Sequence, residues 1–274
     1  MIIPQINGDF NQQDFFIYAA CDNLYFDEFG KTLINSIQKN SKIPIHLHLF
    51  NPRDDQLQFC REKSISTTYE IVSIDHFAKS ASRWLIPPRD TFEKLKYEKT
   101  LTSMKKGNDK SMAERMMKTY FACVRFLRLA EIINSKKKVF LMDIDAIFRK
   151  ELPNLNDIEH PSVFQEKVDV DLFIYKNKKS DQFLAGGIYL TGNSNSFYFL
   201  QEYAKLLRNE IENDQLYWSL DQDILDKIVP KYRYKELPFS MIDWNMEPNS
   251  CIWTAKGKRK ELAIFINEQQ KYRS

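Results

Sequence analysis

The chain has 274 residues, 43% hydrophobic, 28% charged and 14% aromatic, with a formal net charge of +3. This composition excludes a disordered segment, and a chain of this length can bury about three quarters of its unfolded surface without a disulfide or metal staple. The small net charge argues against a general nucleic-acid binder, and the seven glycines form neither G-x-G-x-x-G nor G-x-x-x-x-G-K-[ST], which excludes a Rossmann dinucleotide fingerprint and a P-loop.

Phe15–Ala20 is an apolar run of strand length. Residues 27–39 follow as a helix, with Phe29, Leu33, Ile34 and Ile37 on one face. Ile45–Phe50 reads as a second strand, Arg53–Glu62 as a short helix and Tyr69–Ile74 as a third strand. Alternation of strands and helices predicts an α/β fold with a parallel sheet. Periodicity lapses at Ser80. Pro87-Pro88 and the lysine-rich stretch to about residue 112 read as a mobile insertion. Ala113–Asn134 is a strong helix and Lys138–Met142 a strand. Further strands are expected near Val170–Ile174, Gly187–Leu190 and Cys251–Trp253, and helices near Ser196–Asn213 and Asp221–Val229. No linker divides two cores, so residues 1–274 read as one domain.

Cys21, Cys60, Cys123 and Cys251 are far apart, with no C-x-x-C, which excludes common zinc frameworks and disfavours a secreted disulfide scaffold. No run approaches 18 apolar residues, and the first residues have neither a basic nor an apolar leader segment. A cytoplasmic protein without a membrane span is the expectation. Two stretches are locally basic: Arg89–Lys118 holds nine Lys/Arg against five Asp/Glu, and Trp253–Ser274 six against two, each net +4. Such runs are solvated faces or contacts for a phosphate-bearing partner.

The chemistry concentrates at Val139–Asp145. Four apolar residues suit a central strand buried on both faces, and the run ends in Asp143 and Asp145 at period two. In an extended chain both carboxylates point one way, at the C-terminal sheet edge where open α/β folds bind ligands. Two hard oxygen ligands there suit Mn²⁺ or Mg²⁺, completed by substrate phosphates and water. The plainer alternative is that both residues start a turn. His46 and His48 alternate on a strand that reads as an edge or half-buried one, with no nearby carboxylate cluster, and are taken as structural.

The order of helix 113–134, lysine-rich turn and VFLMDIDAIF resembles the GT-A glycosyltransferases, closest to the retaining family 8 type. That resemblance covers about Phe15 to Lys260, apart from residues 80–112. It implies a mostly parallel central sheet flanked by helices, and a D-x-D motif whose cation bridges the diphosphate of a nucleotide sugar. FFIYAACDN resembles the first strand, which would set Asp22 against the base; Asp22 could instead cap the turn after the strand. LAGGIYLTGN resembles the strand lining the sugar pocket, with Ala185, Gly186 and Gly187. SLDQDIL resembles the segment beside the anomeric carbon, with Asp221 and Gln222 positioning the sugar. Ser219 to Gln222 also fits a capping box. Arg125, on what reads as the polar stripe of its helix, would reach the sugar or diphosphate, with Arg128 as its competitor.

The family's C-terminal H-x-x-G-x-x-K aligns with Thr254, Gly257 and Lys260, so threonine stands where a metal-binding histidine is usual. Asp243, Asn245 and Asn249 lie close enough in sequence to supply the missing ligand. Lys256, Gly257 and Lys260 would meet the diphosphate. The resemblance thus implies a metal-dependent hexosyltransferase that takes a nucleotide diphosphate sugar, a UDP-sugar foremost, and a glycan, lipid-linked or protein acceptor. A nucleotidyltransferase making nucleotide sugars is the first alternative, though AACDNLYF lacks the glycine-rich loop such enzymes carry. A non-catalytic binding module on the same fold is the second.

Overall fold

A computed structural model describes residues 1–10, 13–106, 109–133, 137–152, 169–177 and 180–273. Its strands are β1 (Asn7–Asp9), β2 (Phe15–Asp22), β3 (Ile45–Phe50), β4 (Ser66–Glu70), β5 (Lys138–Met142), β6 (Ile147–Phe148), β7 (Leu172–Asn177), β8 (Gln182–Leu190), β9 (Tyr234–Glu236), β10 (Ile242–Asp243) and β11 (Ile252–Trp253). Its main helices are α1 (Lys31–Asn40), α2 (Asp54–Glu62), α3 (Ala78–Ser82), α4 (Thr91–Lys106), α5 (Met112–Ile132), α6 (Ser194–Glu212), α7 (Leu220–Ile228) and α8 (Ala263–Gln270).

Among the described residues an eight-stranded sheet runs in the order β1-β4-β3-β2-β5-β8-β7-β9, and β10-β11-β6 form a small second sheet. Strands β4, β3, β2 and β5 are parallel neighbours, whereas β8 runs antiparallel to β5 and β7. The polarity of the sheet therefore switches at β5, the strand that carries the D-x-D motif.

Two cores follow from strand alternation. Phe16 and Tyr18 of β2 face α5, α6 and α7, and Ile17 and Ala19 face α1 and the small sheet. Covered on both sides, β2 and β5 read as near-continuous apolar runs, and β3 is buried throughout although His46 and His48 alternate along it. Helix α5 starts on a reciprocal cap: Ser111 Oγ accepts from Glu114 N at 3.2 Å, and Ser111 N donates to Glu114 Oε2 at 2.9 Å.

Four expectations change. Strand β4 ends at Glu70 rather than Ile74. Asn51 accepts from Val72 N at 2.6 Å and donates to Val72 O at 2.9 Å, which draws the chain out of the ladder. The segment expected as a patternless insertion contains α4, started by Asp90 Oδ1, which accepts from Phe92 N and Glu93 N at 3.0 Å each. Its apolar residues Phe92 and Leu95 are exposed, so no single apolar stripe marks the helix in sequence. Ser219 does not cap α7; it sits at φ 72° without a side-chain bond to the helix. His46 and His48 lie in an interior strand. Both are fully buried, with His48 Nε2 3.7 Å from the buried carboxylate of Glu70.

Candidate active site

The strand β5 stops at Met142 and the chain turns at once, Ala146 N donating to Asp143 O at 3.2 Å. The motif is therefore a tight turn rather than an extended pair, and the turn is what brings Asp143 and Asp145 together. The Asp143 anion disfavours ionisation of Asp145.

Arg125 comes up from α5 beneath this turn. Its Nη1 donates to Asp143 Oδ1 at 2.7 Å, and its Nη2 donates to Ala185 O on β8 at 3.1 Å. It is buried, not on a solvated stripe. Burial disfavours the charge, but Asp143 and Asp221 hold its pKa above the ordinary value. Burial would likewise raise the Asp143 carboxyl; the Arg125 guanidinium outweighs it and holds the group below the usual range. Arg128 points elsewhere, pairing with Glu70 and Glu131 and donating to Pro4 O at 2.6 Å. Arg125 is thus the arginine beside the motif.

The glycine pair of β8 divides by face. A Cβ on Gly186 would stand 2.3 Å from Asp143 Oδ2, so only glycine lets the strand pass this close to the carboxylate. A Cβ on Gly187 would instead meet Trp244 at 3.3 Å, on the opposite side of the sheet. Gly187 is a packing residue beside the motif rather than part of its surface.

Asp145 is engaged at both oxygens. Thr254 Oγ1 donates to Oδ1 at 2.9 Å, and Lys260 Nζ lies 2.6 Å from Oδ2. Burial pushes the Asp145 carboxyl up, with Lys260 opposing and Asp143 adding to the rise. Thr254 thus faces the motif where the alignment sets it. Lys260 also sits over the rings of Tyr25 and Phe29, at 4.8 and 4.7 Å. These rings are four residues apart on the short helical segment 23–30 that follows β2, a spacing present in the sequence that the family motifs do not include.

Asp221, in the first turn of α7, is buried and its carboxyl is raised, mainly by burial, with Arg125 opposing. Tyr203 Oη fixes it by donating to its carbonyl at 2.9 Å. Gln222 is half-buried beside it. Asp22 ends β2 half-buried and accepts from Tyr25 N at 2.8 Å, the capping alternative. Lys256 is exposed, close enough to lower the carboxyls of both Asp143 and Asp221. Gly257 turns the chain at φ 59° in open space and begins the short helical segment that carries Lys260.

Asp243 does not join the pair. It is buried and accepts from Asn245 N at 2.8 Å and Glu247 N at 2.6 Å, closing its own turn. Asn245 and Asn249 are exposed. Among the described residues no group of three or more His, Cys, Asp or Glu could hold a metal ion. The donor set therefore fits a cation that arrives with phosphate ligands, not an all-protein cage.

No protein-family model matches the sequence, and no curated protein matches it. Solved structures do match the fold. The bifunctional glycosyltransferase WbbM superposes with a TM-score of 0.57 at 13% identity, over 98% of this chain and 51% of its own. The galactosyltransferase LgtC, solved with donor and acceptor sugar analogues, gives 0.51 at 13% identity over 94% and 96%. GlyE of Streptococcus pneumoniae TIGR4 gives 0.50 at 14% identity over 94% and 60%. The chain spans about half of WbbM and nearly all of LgtC. Its fold is the GT-A fold of glycosyltransferases: α/β, with a mostly parallel central sheet flanked by helices.

Proposed function

We propose that the protein is a glycosyltransferase of the hexosyltransferase class. It would move a sugar from a nucleotide diphosphate sugar, a UDP-sugar foremost, to a hydroxyl of a glycan, lipid-linked or protein acceptor, with the anomeric configuration retained. The observation carrying this reading is one cluster at the polarity switch of the sheet: Asp143 on Arg125, Asp145 on Lys260 and Thr254, Gly186 pressed against Asp143, and Asp221 beside them. Ligands of open α/β sheets bind at such a place.

The residues divide the work by charge. A departing nucleoside diphosphate gains negative charge, and Lys260, Lys256 and Arg125 are the cations at hand to stabilise it. Asp221 and Gln222, at the start of α7, would hold the sugar hydroxyls and orient the anomeric carbon. Asp22 and the turn after β2 would bound the base. Gly186 and Ala185 would let the sugar lie close to backbone. Mn²⁺ or Mg²⁺, held by Asp143 and Asp145 together with the diphosphate, would supply Lewis-acid charge neutralisation.

The sequence expectation of a cytoplasmic protein goes with this reading, since nucleotide sugars are made there. Among the described residues no helix is long and apolar enough to cross a membrane. The test is a thermal-shift panel of nucleotide sugars with and without Mn²⁺: ligand at about 100-fold over Kd stabilises by roughly 2.7 kcal/mol. Stabilisation by a UDP-sugar plus Mn²⁺ supports the reading, and none by any member of the panel refutes it. One observation favours the non-catalytic module, namely that both oxygens of Asp145 are already bonded within the protein. A stabilising sugar nucleotide that is never consumed would identify that case.

A further inference from the structure

Helix α4 presents an outer face that the rest of the protein leaves uncovered. Its inner face is anchored: Tyr97 packs against Trp84 at 6.3 Å, Arg83 pairs with Glu93 at 2.5 Å, and Thr100 Oγ1 accepts from Trp218 N at 3.1 Å. Outside, Phe92 is 58% and Leu95 54% exposed, and the turn leading into the helix exposes Leu85 and Ile86 at 73% and 77%. Four large apolar side chains this exposed, within eleven residues, exceed the scattered surface leucine or phenylalanine of a soluble face.

The exposed charge around them is mostly basic: Arg89, Lys94, Lys99, Lys105 and Lys106 against Asp90 and Glu98. Lys94, Lys105 and Lys106 have no acidic partner among the described contacts. Exposed apolar side chains before and within the first turns of the helix, with Lys94 among them and Lys105 and Lys106 in its last turn, match an anionic bilayer, which accepts the apolar groups below its headgroups and attracts the lysines at them. From these observations we propose that the outer face of α4, with Leu85 and Ile86, docks the protein on an anionic phospholipid surface.

The position of the helix gives docking a consequence. Lys99 of α4 pairs with Asp223 at 2.9 Å, two residues after Asp221. A bilayer against α4 therefore lies next to α7, where a lipid-linked acceptor would be presented. That consequence rests on the transferase reading; the docking does not.

The experiment is flotation of the full chain with vesicles of phosphatidylglycerol and phosphatidylcholine, and with phosphatidylcholine alone. Binding is expected to the anionic vesicles only, and to fall steeply at high salt. Leu85→Ser/Ile86→Ser/Phe92→Ser/Leu95→Ser should weaken it at least tenfold. Lys94→Gln/Lys105→Gln/Lys106→Gln should weaken it by about 100-fold, each lysine counting for roughly fivefold near such a surface. Lys205→Glu, an exposed charge on α6, should leave binding within threefold of wild type. All these side chains are exposed, so melting temperatures should stay close to wild type. Absence of binding to anionic vesicles overturns the proposal. So does binding that the α4 variants leave unchanged, or that the control variant weakens as much.

Discussion

Lys260 Nζ lies 2.6 Å from Asp145 Oδ2 while Thr254 donates to the other oxygen of the same carboxylate at 2.9 Å. An ammonium thus sits on one of the two carboxylates proposed to hold a divalent cation. Metal and lysine compete for Asp145, and a diphosphate relieves the competition by giving the lysine a second anion. Nucleotide and cation should therefore bind with strong mutual coupling.

Lys260→Met removes the competitor and the diphosphate contact together. Mn²⁺ affinity of the nucleotide-free protein should rise, while sugar transfer should fall by about 100- to 1000-fold, as for other groups facing a developing anion. Calorimetric titration of Mn²⁺ and a turnover assay read the two effects separately. Weaker metal binding in the variant would place Lys260 on the metal's side rather than against it.

Thr254 offers the complementary change. It is buried against Asp145, so Thr254→Val leaves a buried carboxylate oxygen without its donor and should cost about 1–3 kcal/mol of stability. Thr254→His instead supplies an imidazole facing the motif and should tighten Mn²⁺ at least tenfold, about 1.4 kcal/mol. Denaturant melts and metal titrations of the two variants check this, and a histidine variant no tighter than wild type would show that the site lacks room for a third ligand.

Gly186 and Gly187 should separate cleanly. In Gly186→Ala the new Cβ would stand 2.3 Å from Asp143 Oδ2, so the carboxylate must move and its pair with Arg125 must loosen. Transfer should drop by about 100-fold or more, in the range seen when positioned electrostatic groups are lost. In Gly187→Ala the nearest atom is the Trp244 ring at 3.3 Å, and activity should survive. Kinetics of the two variants side by side decide it; equal losses would mean that Gly186 matters only for packing.

The second buried charge cluster predicts acid sensitivity. Burial lowers the His46 pKa to about 3 and lowers that of His48 as well. Between roughly pH 6.5 and 3 the unfolded chain protonates His46 and the folded chain does not, so stability falls as pH falls through that window, and His48, lowered too, adds in the same direction. The slope is about 1.4 kcal/mol per pH unit for each histidine fully in that condition. His46→Gln keeps partners for Ser66 and Thr68 and should flatten the profile. Urea midpoints from pH 7 to 4 measure it, and an unchanged slope would move the acid sensitivity to other groups.

The sequence carried the α/β order well because β2 and β5 are buried on both faces and so read as apolar runs. The motif at Asp143 and Asp145 was legible for the same reason: two carboxylates ending an apolar run stand out. What was hidden depended on tertiary pairing. Arg125 and Arg128 look alike on one helix, and only the distant Asp143 and Glu70 tell them apart. Helix α4 hid because its apolar residues face outward, although Asp90 followed by Glu93 was a readable start signal. Strand β4 slipped because the register was set by Asn51, twenty-one residues before Val72, and not by its own apolar pattern. Strands β6, β9 and β10 are two or three residues long, too short for any period to show.

Asp143 and Asp145 are proposed to serve nucleotide-sugar chemistry, and the decisive measurement is release of UDP from UDP-sugars in the presence of Mn²⁺, wild type against Asp145→Asn. The amide keeps an acceptor for Thr254 and nearly the same shape, so the fold should hold, with a melting temperature within a few degrees. The wild type should release UDP, and the variant should lose at least about 100-fold of that rate. Release by Asp145→Asn at the wild-type rate, still requiring Mn²⁺, would contradict it.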